Sequence, residues 1–106
     1  HHGLTNAVFM PYVLVKNKND IEDKIIAISR YINLRQYTFD SFLEWILQLR
    51  KDLLIPHTLK ELIEDDSKFN TMSKMALDDP STGGNPTKLS QKDFEILYQN
   101  AYDGKL

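Results

Sequence analysis

The stretch that decides the reading is His2-Gly3-Leu4-Thr5-Asn6-Ala7-Val8-Phe9-Met10-Pro11-Tyr12-Val13-Leu14-Val15. Apolar side chains crowd positions 4–15, and only Thr5, Asn6 and Tyr12 bring polar groups. A helix this apolar is buried on most sides. Pro11 lacks an amide donor and its ring crowds the preceding turn, which predicts a kink or a displaced helix start.

Working outward, residues 17–20 are polar and read as a break. Asp20 then suits an N-cap, with Glu22 and Asp23 in the first turn of a second helix. Ile21, Ile25, Ile28 and Ile32 recur at helical spacing along it, with Ile26 beside them. Thr38 can cap a third helix, whose stripe of Phe39, Phe42, Leu43, Ile46, Leu49, Leu53 and Leu54 faces inward. That helix ends at Ile55-Pro56, since the residue before proline disfavours the helical region. Thr58-Leu59-Lys60-Glu61 reads as a capping box, with a short helix running to Ile63. Phe69, Met72, Met75, Ala76 and Leu77 mark a further helix, inward on that face. Residues 79–88 hold two prolines and two glycines and read as an irregular loop. Ser90, with Asp93 three positions on, caps a last helix carrying Phe94, Leu97, Tyr98 and Ala101, which Gly104 ends. The expectation is an all-α chain of about six helices.

Composition narrows the function. The 106 residues are 42% hydrophobic, which is not a disordered composition. Thirteen basic against fifteen acidic residues leave a net charge of -2, which argues against general nucleic-acid binding. There is no cysteine, so disulfides, thiol catalysis and thiolate ligands are all excluded. That fits a reducing compartment, and a cytoplasmic location is expected. No apolar run approaches the roughly 20 residues of a membrane span, and no signal peptide is visible. The two opening histidines would also suit a purification-tag remnant, a reading that their continuation into Gly3-Leu4-Thr5-Asn6-Ala7 displaces for His2.

His2-Gly3-Leu4-Thr5-Asn6-Ala7, followed by Met10-Pro11-Tyr12-Val13-Leu14, resembles the His-Gly-x-x-Asn-Ala…Leu-Pro-x-Val segment of the iron-containing alcohol dehydrogenases. Leu54-Ile55-Pro56, Leu59 with Leu62, Ala76-Leu77-Asp78-Asp79-Pro80, Thr82-Gly83-Gly84-Asn85-Pro86 and Asp93…Leu97-Tyr98 continue the likeness in order over nearly the whole chain. The resemblance implies the C-terminal helical domain of the iron-containing alcohol dehydrogenase and dehydroquinate synthase-like fold. It assigns residues 1–106 to a metal-side helical fragment, without the N-terminal nucleotide-binding domain that would be its partner. In that family one Asp and three His hold a divalent metal, and the histidine before Gly-x-x-Asn-Ala is the last ligand in chain order. The role carries over to His2 and not to His1. The implied parent interconverts small alcohols with aldehydes or ketones, using NAD(P) and Fe(II) or Zn(II). One histidine is not a metal site, so no tight metal or cofactor binding is expected of the fragment alone.

Other residues weigh less. His57, beside Pro56 and Thr58, reads as a solvated loop histidine rather than a second ligand. Asp78 and Asp79 are adjacent, and adjacent helical residues point about 100° apart, so they do not converge as a carboxylate pair. Thr82-Gly83-Gly84-Asn85 lacks the strand and spacing of a dinucleotide fingerprint and reads as a tight loop needing positive φ at glycine. In the resembling enzymes this loop nears the substrate, which makes Ser81 a pocket candidate. Trp45, Met72 and Met75 read as core, and Asn6 as a partner to nearby buried polar groups. No catalytic and no cofactor-binding residue is assigned. Two other readings stand beside the first: a free-standing helical interaction module that kept the fold, and a zinc-using glycerol or polyol dehydrogenase relative. An exposed first helix predicts a homo-oligomer, through dimerisation or swapping.

Overall fold

The computed structural model describes residues 2–106, with side chains from residue 3 onward; His1 and the side chain of His2 lie outside the described residues. Four α-helices carry the fold: α1 (His2–Tyr31), α2 (Phe39–Asp52), α3 (Phe69–Asp78) and α4 (Gln91–Asp103). Two 3-10 helices, Leu59–Glu61 and Pro80–Gly84, sit in the connections, and no strand occurs among the described residues. The all-α expectation holds, with four α-helices in place of about six.

The largest correction is in α1, which runs unbroken for 30 residues. Asn17, Lys18 and Asp20 in this run reach other elements, and the helix does not stop there. Asn17 is only 4% exposed and pairs with Asn85. The Lys16 ammonium meets the Asp93 carboxylate at 3.1 Å, and Lys18 lies over the Phe39 ring. Asp20 is therefore mid-helix rather than an N-cap, and accepts a hydrogen bond from the Thr87 hydroxyl. Pro11 also stays within α1, fully buried. Its burial among apolar neighbours offsets the amide donor it cannot supply.

Two cores form along α1. Val8 and Tyr12 pack with Leu59, Phe69, Leu89, Phe94, Leu97 and Ala101. Farther along, Ile25 packs with Phe39, Phe42 and Ile46 of α2. The helix thus serves as a common wall for both.

Helix ends follow local chemistry closely. The Thr38 hydroxyl accepts from the Ser41 amide at 3.0 Å, and Ser90 with Asp93 forms a complete capping box. Thr58 makes no side-chain cap bond, and only one 3-10 turn follows it. Among the described residues, the three with positive φ all close helices: Asn33 at 59°, Leu54 at 58° and Gly104 at 80°. After each helix a later amide returns to a carbonyl five residues back: Leu34 to Ser29, Ile55 to Arg50 and Lys105 to Asn100. This closure stops α2 at Asp52, so Leu53 and Leu54 do not continue its inward stripe; they are 62% and 89% exposed. Leu49, Trp45, Met75, Leu77, Ile28 and Ile32 are likewise exposed rather than core. They are apolar, but the buried faces beside them are already filled by Phe39, Phe42, Ile46, Phe69 and Ile25. The loop expected at 79–88 contains the Pro80–Gly84 3-10 turn, where Asp79 caps and neither glycine takes positive φ.

Candidate functional site

The first turns of α1 form the floor of a groove of about 570 Å³. Thr5, Asn6, Phe9 and Val13 line one side of it, Met72 and Ser81 another, and Phe94, Leu97 and Tyr98 of α4 the rest. Spacings of three and four put positions 5, 6, 9 and 13 on one helix face. The aromatic wall is built by contact: Phe9 meets Tyr98 edge-on at 5.4 Å, and Tyr98 stacks on Phe69 at 5.7 Å. Burial pushes the Tyr98 phenol up, so near neutral pH it remains an uncharged hydroxyl.

Ser81 enters the groove from the Pro80–Gly84 turn. Its amide and its hydroxyl both donate to one Asp79 carboxylate oxygen, at 2.8 and 2.6 Å. Those two bonds hold the Asp79 carboxyl below the usual carboxylate range. The hydroxyl proton is thereby committed, and Ser81 offers a groove ligand its lone pairs. Asp78 ends α3, while Asp79 turns away into this cap, so the two do not act as a carboxylate pair.

His2 opens α1, and its proposed ligand role falls on a side chain outside the described residues. Asn6 is exposed on the groove rather than set among buried polar groups. Among the described residues, no three His, Cys, Asp or Glu side chains gather to hold one ion.

A second polar cluster lies beneath α1. Arg50 is 5% exposed, and among the described residues no carboxylate pairs with it. Its Nη2 donates to the Val8, Pro56 and His57 carbonyls at 3.3, 3.0 and 3.1 Å. The Tyr12 hydroxyl donates to the same His57 carbonyl at 2.6 Å. The His57 ring lies between them, Nδ1 at 3.5 Å from Arg50 and Nε2 at 3.3 Å from the Tyr12 oxygen. Burial pushes the Tyr12 phenol up, against the pull of the Arg50 guanidinium. So His57 is exposed, but its ring is engaged at both nitrogens rather than merely solvated. The cluster pins the 55–57 loop against α1 and α2. Sequence reading missed Arg50, although it continues the Phe42, Ile46 series at a spacing of four.

Residues 1–102 match the family described as the Fe-containing alcohol dehydrogenase family, C-terminal. The NADPH-dependent butanol dehydrogenase of Clostridium saccharobutylicum is 31% identical over 111 aligned positions, covering 97% of this chain and 29% of that protein. Lactaldehyde reductase of Escherichia coli (strain K12) is 27% identical, covering 95% of this chain and 28% of its own length. The 1,3-propanediol dehydrogenase of Citrobacter freundii is 28% identical with the same coverage, 95% and 28%. The chain therefore spans under a third of the length of these relatives. Among the described residues, no helix is long and apolar enough to cross a membrane.

Proposed function

We infer the role of this chain from what it is: it belongs to the Fe-containing alcohol dehydrogenase family. Our reading is that it forms the metal-side helical portion of a larger NAD(P)-dependent dehydrogenase that interconverts alcohols with aldehydes or ketones. The remaining ligands and the nucleotide-binding domain then belong to the rest of that protein, which we place in the cytoplasm. The fragment by itself is catalytically silent in this reading.

The observation that carries the proposal is the groove itself. Position 2 precedes 5, 6, 9 and 13 by three, four, seven and eleven residues, the spacing of one helix face. The groove that this face lines is apolar and holds a few neutral polar groups, and the likeness to the family assigns the histidine at position 2 as a ligand. That donor chemistry fits a single ligand of a shared Fe(II) or Zn(II) site and not a whole one. When bound, a divalent metal supplies Lewis acidity toward an alcohol oxygen. Phe9, Val13, Phe94 and Leu97 exclude water from that end and hold the carbon chain of a substrate. Ser81 accepts a hydrogen bond from a substrate hydroxyl, since its own proton is given to Asp79.

The test uses the full-length gene product, loaded with Fe(II) or Zn(II) and assayed with butan-1-ol, propane-1,3-diol and both nicotinamide cofactors. His2→Ala should lose roughly 100-fold or more of kcat/KM, at least the loss seen when a residue behind a metal ligand is removed. Metal stoichiometry should fall with it. Full activity and full metal content in His2→Ala would overturn the ligand assignment. A gene product no larger than this chain would favour the interaction module instead.

A further inference from the structure

The turn that carries Ser81 has almost nothing apolar holding it. No residue of Pro80–Gly84 is buried, and a Cβ added at Gly83 or Gly84 would meet nothing within 4 Å. What fixes it is polar. On one side the Thr82 hydroxyl donates to the Ala76 carbonyl at the end of α3. On the other, Asn17 and Asn85 exchange amide hydrogen bonds in both directions, at 2.9 and 2.8 Å. Asn85 caps the turn, its amide returning to the Thr82 carbonyl at 3.1 Å, and its side chain also donates to the Thr87 carbonyl at 2.6 Å. Thr87 in turn donates to Asp20, three residues along α1 from Asn17. Two clamps one helical turn apart therefore tie this segment to the helix that forms the groove floor.

We propose that Asn17 and Asn85 are positioning residues: their paired amides set where Ser81 stands over the alcohol side of the groove. This rests on the dehydrogenase reading above. An amide pair suits the task because each side chain both donates and accepts, so only one relative placement satisfies both. Asn17 is buried, so losing its partner would leave its amide unsatisfied. The pair joins α1 directly to the turn, so Ser81 is placed relative to Thr5, Asn6 and Phe9 rather than relative to α3 alone. A displacement of about 1 Å at a substrate-positioning group can cost about 100-fold in rate.

The experiment is a double-mutant cycle in the full-length protein with butan-1-ol. Asn85→Asp and Asn17→Asp keep size but set a carboxylate oxygen against the partner's oxygen. Each should lower kcat/KM for the alcohol about tenfold or more while leaving nucleotide KM and metal content unchanged. In a Ser81→Ala background the same change should cost much less, because the latch acts through that hydroxyl. Asn85→Gln, which keeps both donor and acceptor, should recover part of the loss. Unaltered alcohol kinetics in the two Asp variants, or full additivity with Ser81→Ala, would overturn the proposal. If the wild-type protein oxidises no alcohol, the dehydrogenase reading fails, and amide exchange decides the latch alone. Faster exchange across residues 79–88 in Asn85→Asp then supports it, and unchanged protection there sinks it.

Discussion

Asp93 shows how much one side chain can do at a helix start. It accepts from the Ser90 amide and hydroxyl and meets the Lys16 ammonium. Chiefly the Ser90 amide, and then Lys16, hold its carboxyl below the ordinary value. A depressed folded value means the stabilisation is complete above the unfolded value, about 4, and is lost as pH falls through the folded one. Asp93→Asn should therefore be less stable than wild type at pH 6, with the gap closing below about pH 4. Unfolding midpoints across pH 6 to 2 check it, and parallel curves would refute it. The Ser90–Asp93 box and the Gly104 terminator were legible in the sequence because both partners lie within a few residues. Arg50 was not. Its partners are carbonyls, which every residue has, so no residue type elsewhere announces a buried guanidinium. The groove was legible only in part. Ser81 came from the family likeness, while the Asp79 bond that fixes its proton depends on a turn that the prolines and glycines concealed.

At the scale of elements, the reading failed where a pattern depended on distant chain. A polar run at 17–20 looks like a break when only neighbours are considered. It is a seam once Asn85, Thr87 and Asp93 lie against it. The end of α2 failed for a different reason. Leu54 occupies the left-handed position that closes the helix, where a side chain other than glycine is strained, and it is 89% exposed. Leu54→Gly should relieve that strain and forfeit little burial. We expect a gain of about 1 kcal/mol in denaturant titrations. A loss of stability would overturn the assignment of strain to Leu54.

For the whole molecule, apolar exposure is sparse on the first turns of α1, although the far end of that helix leaves Ile28 and Tyr31 open. On the first turns of α1, Met10 is the large apolar side chain left open, whereas α2 presents Trp45, Leu49 and Leu53 at intervals of four, followed by Leu54. In a protein over three times this length such a stripe has ample chain to cover it. The chain produced alone should self-associate through this stripe rather than through the first turns of α1. Sedimentation equilibrium should show association that Leu53→Glu with Leu54→Glu weakens. A clean monomer at high concentration would count against it. The all-α class was legible because helical spacing persists in four long segments. The assignment of faces was not, since the chain carries more apolar residues than its two cores hold.

The way α1 spans both cores sets an order of assembly on the ribosome. Ile25 finds Phe39, Phe42 and Ile46 within some twenty residues, so that lobe can close while the rest is still being made. Val8 and Tyr12 must wait for Leu89, Phe94, Leu97 and Ala101. At 5–20 residues per second, the 86 positions from Val8 to Phe94 take roughly 4–17 s to emerge. During that interval the first turns of α1 present an uncovered apolar surface of the kind holdase chaperones cover. The groove is complete only once α4 has left the exit tunnel.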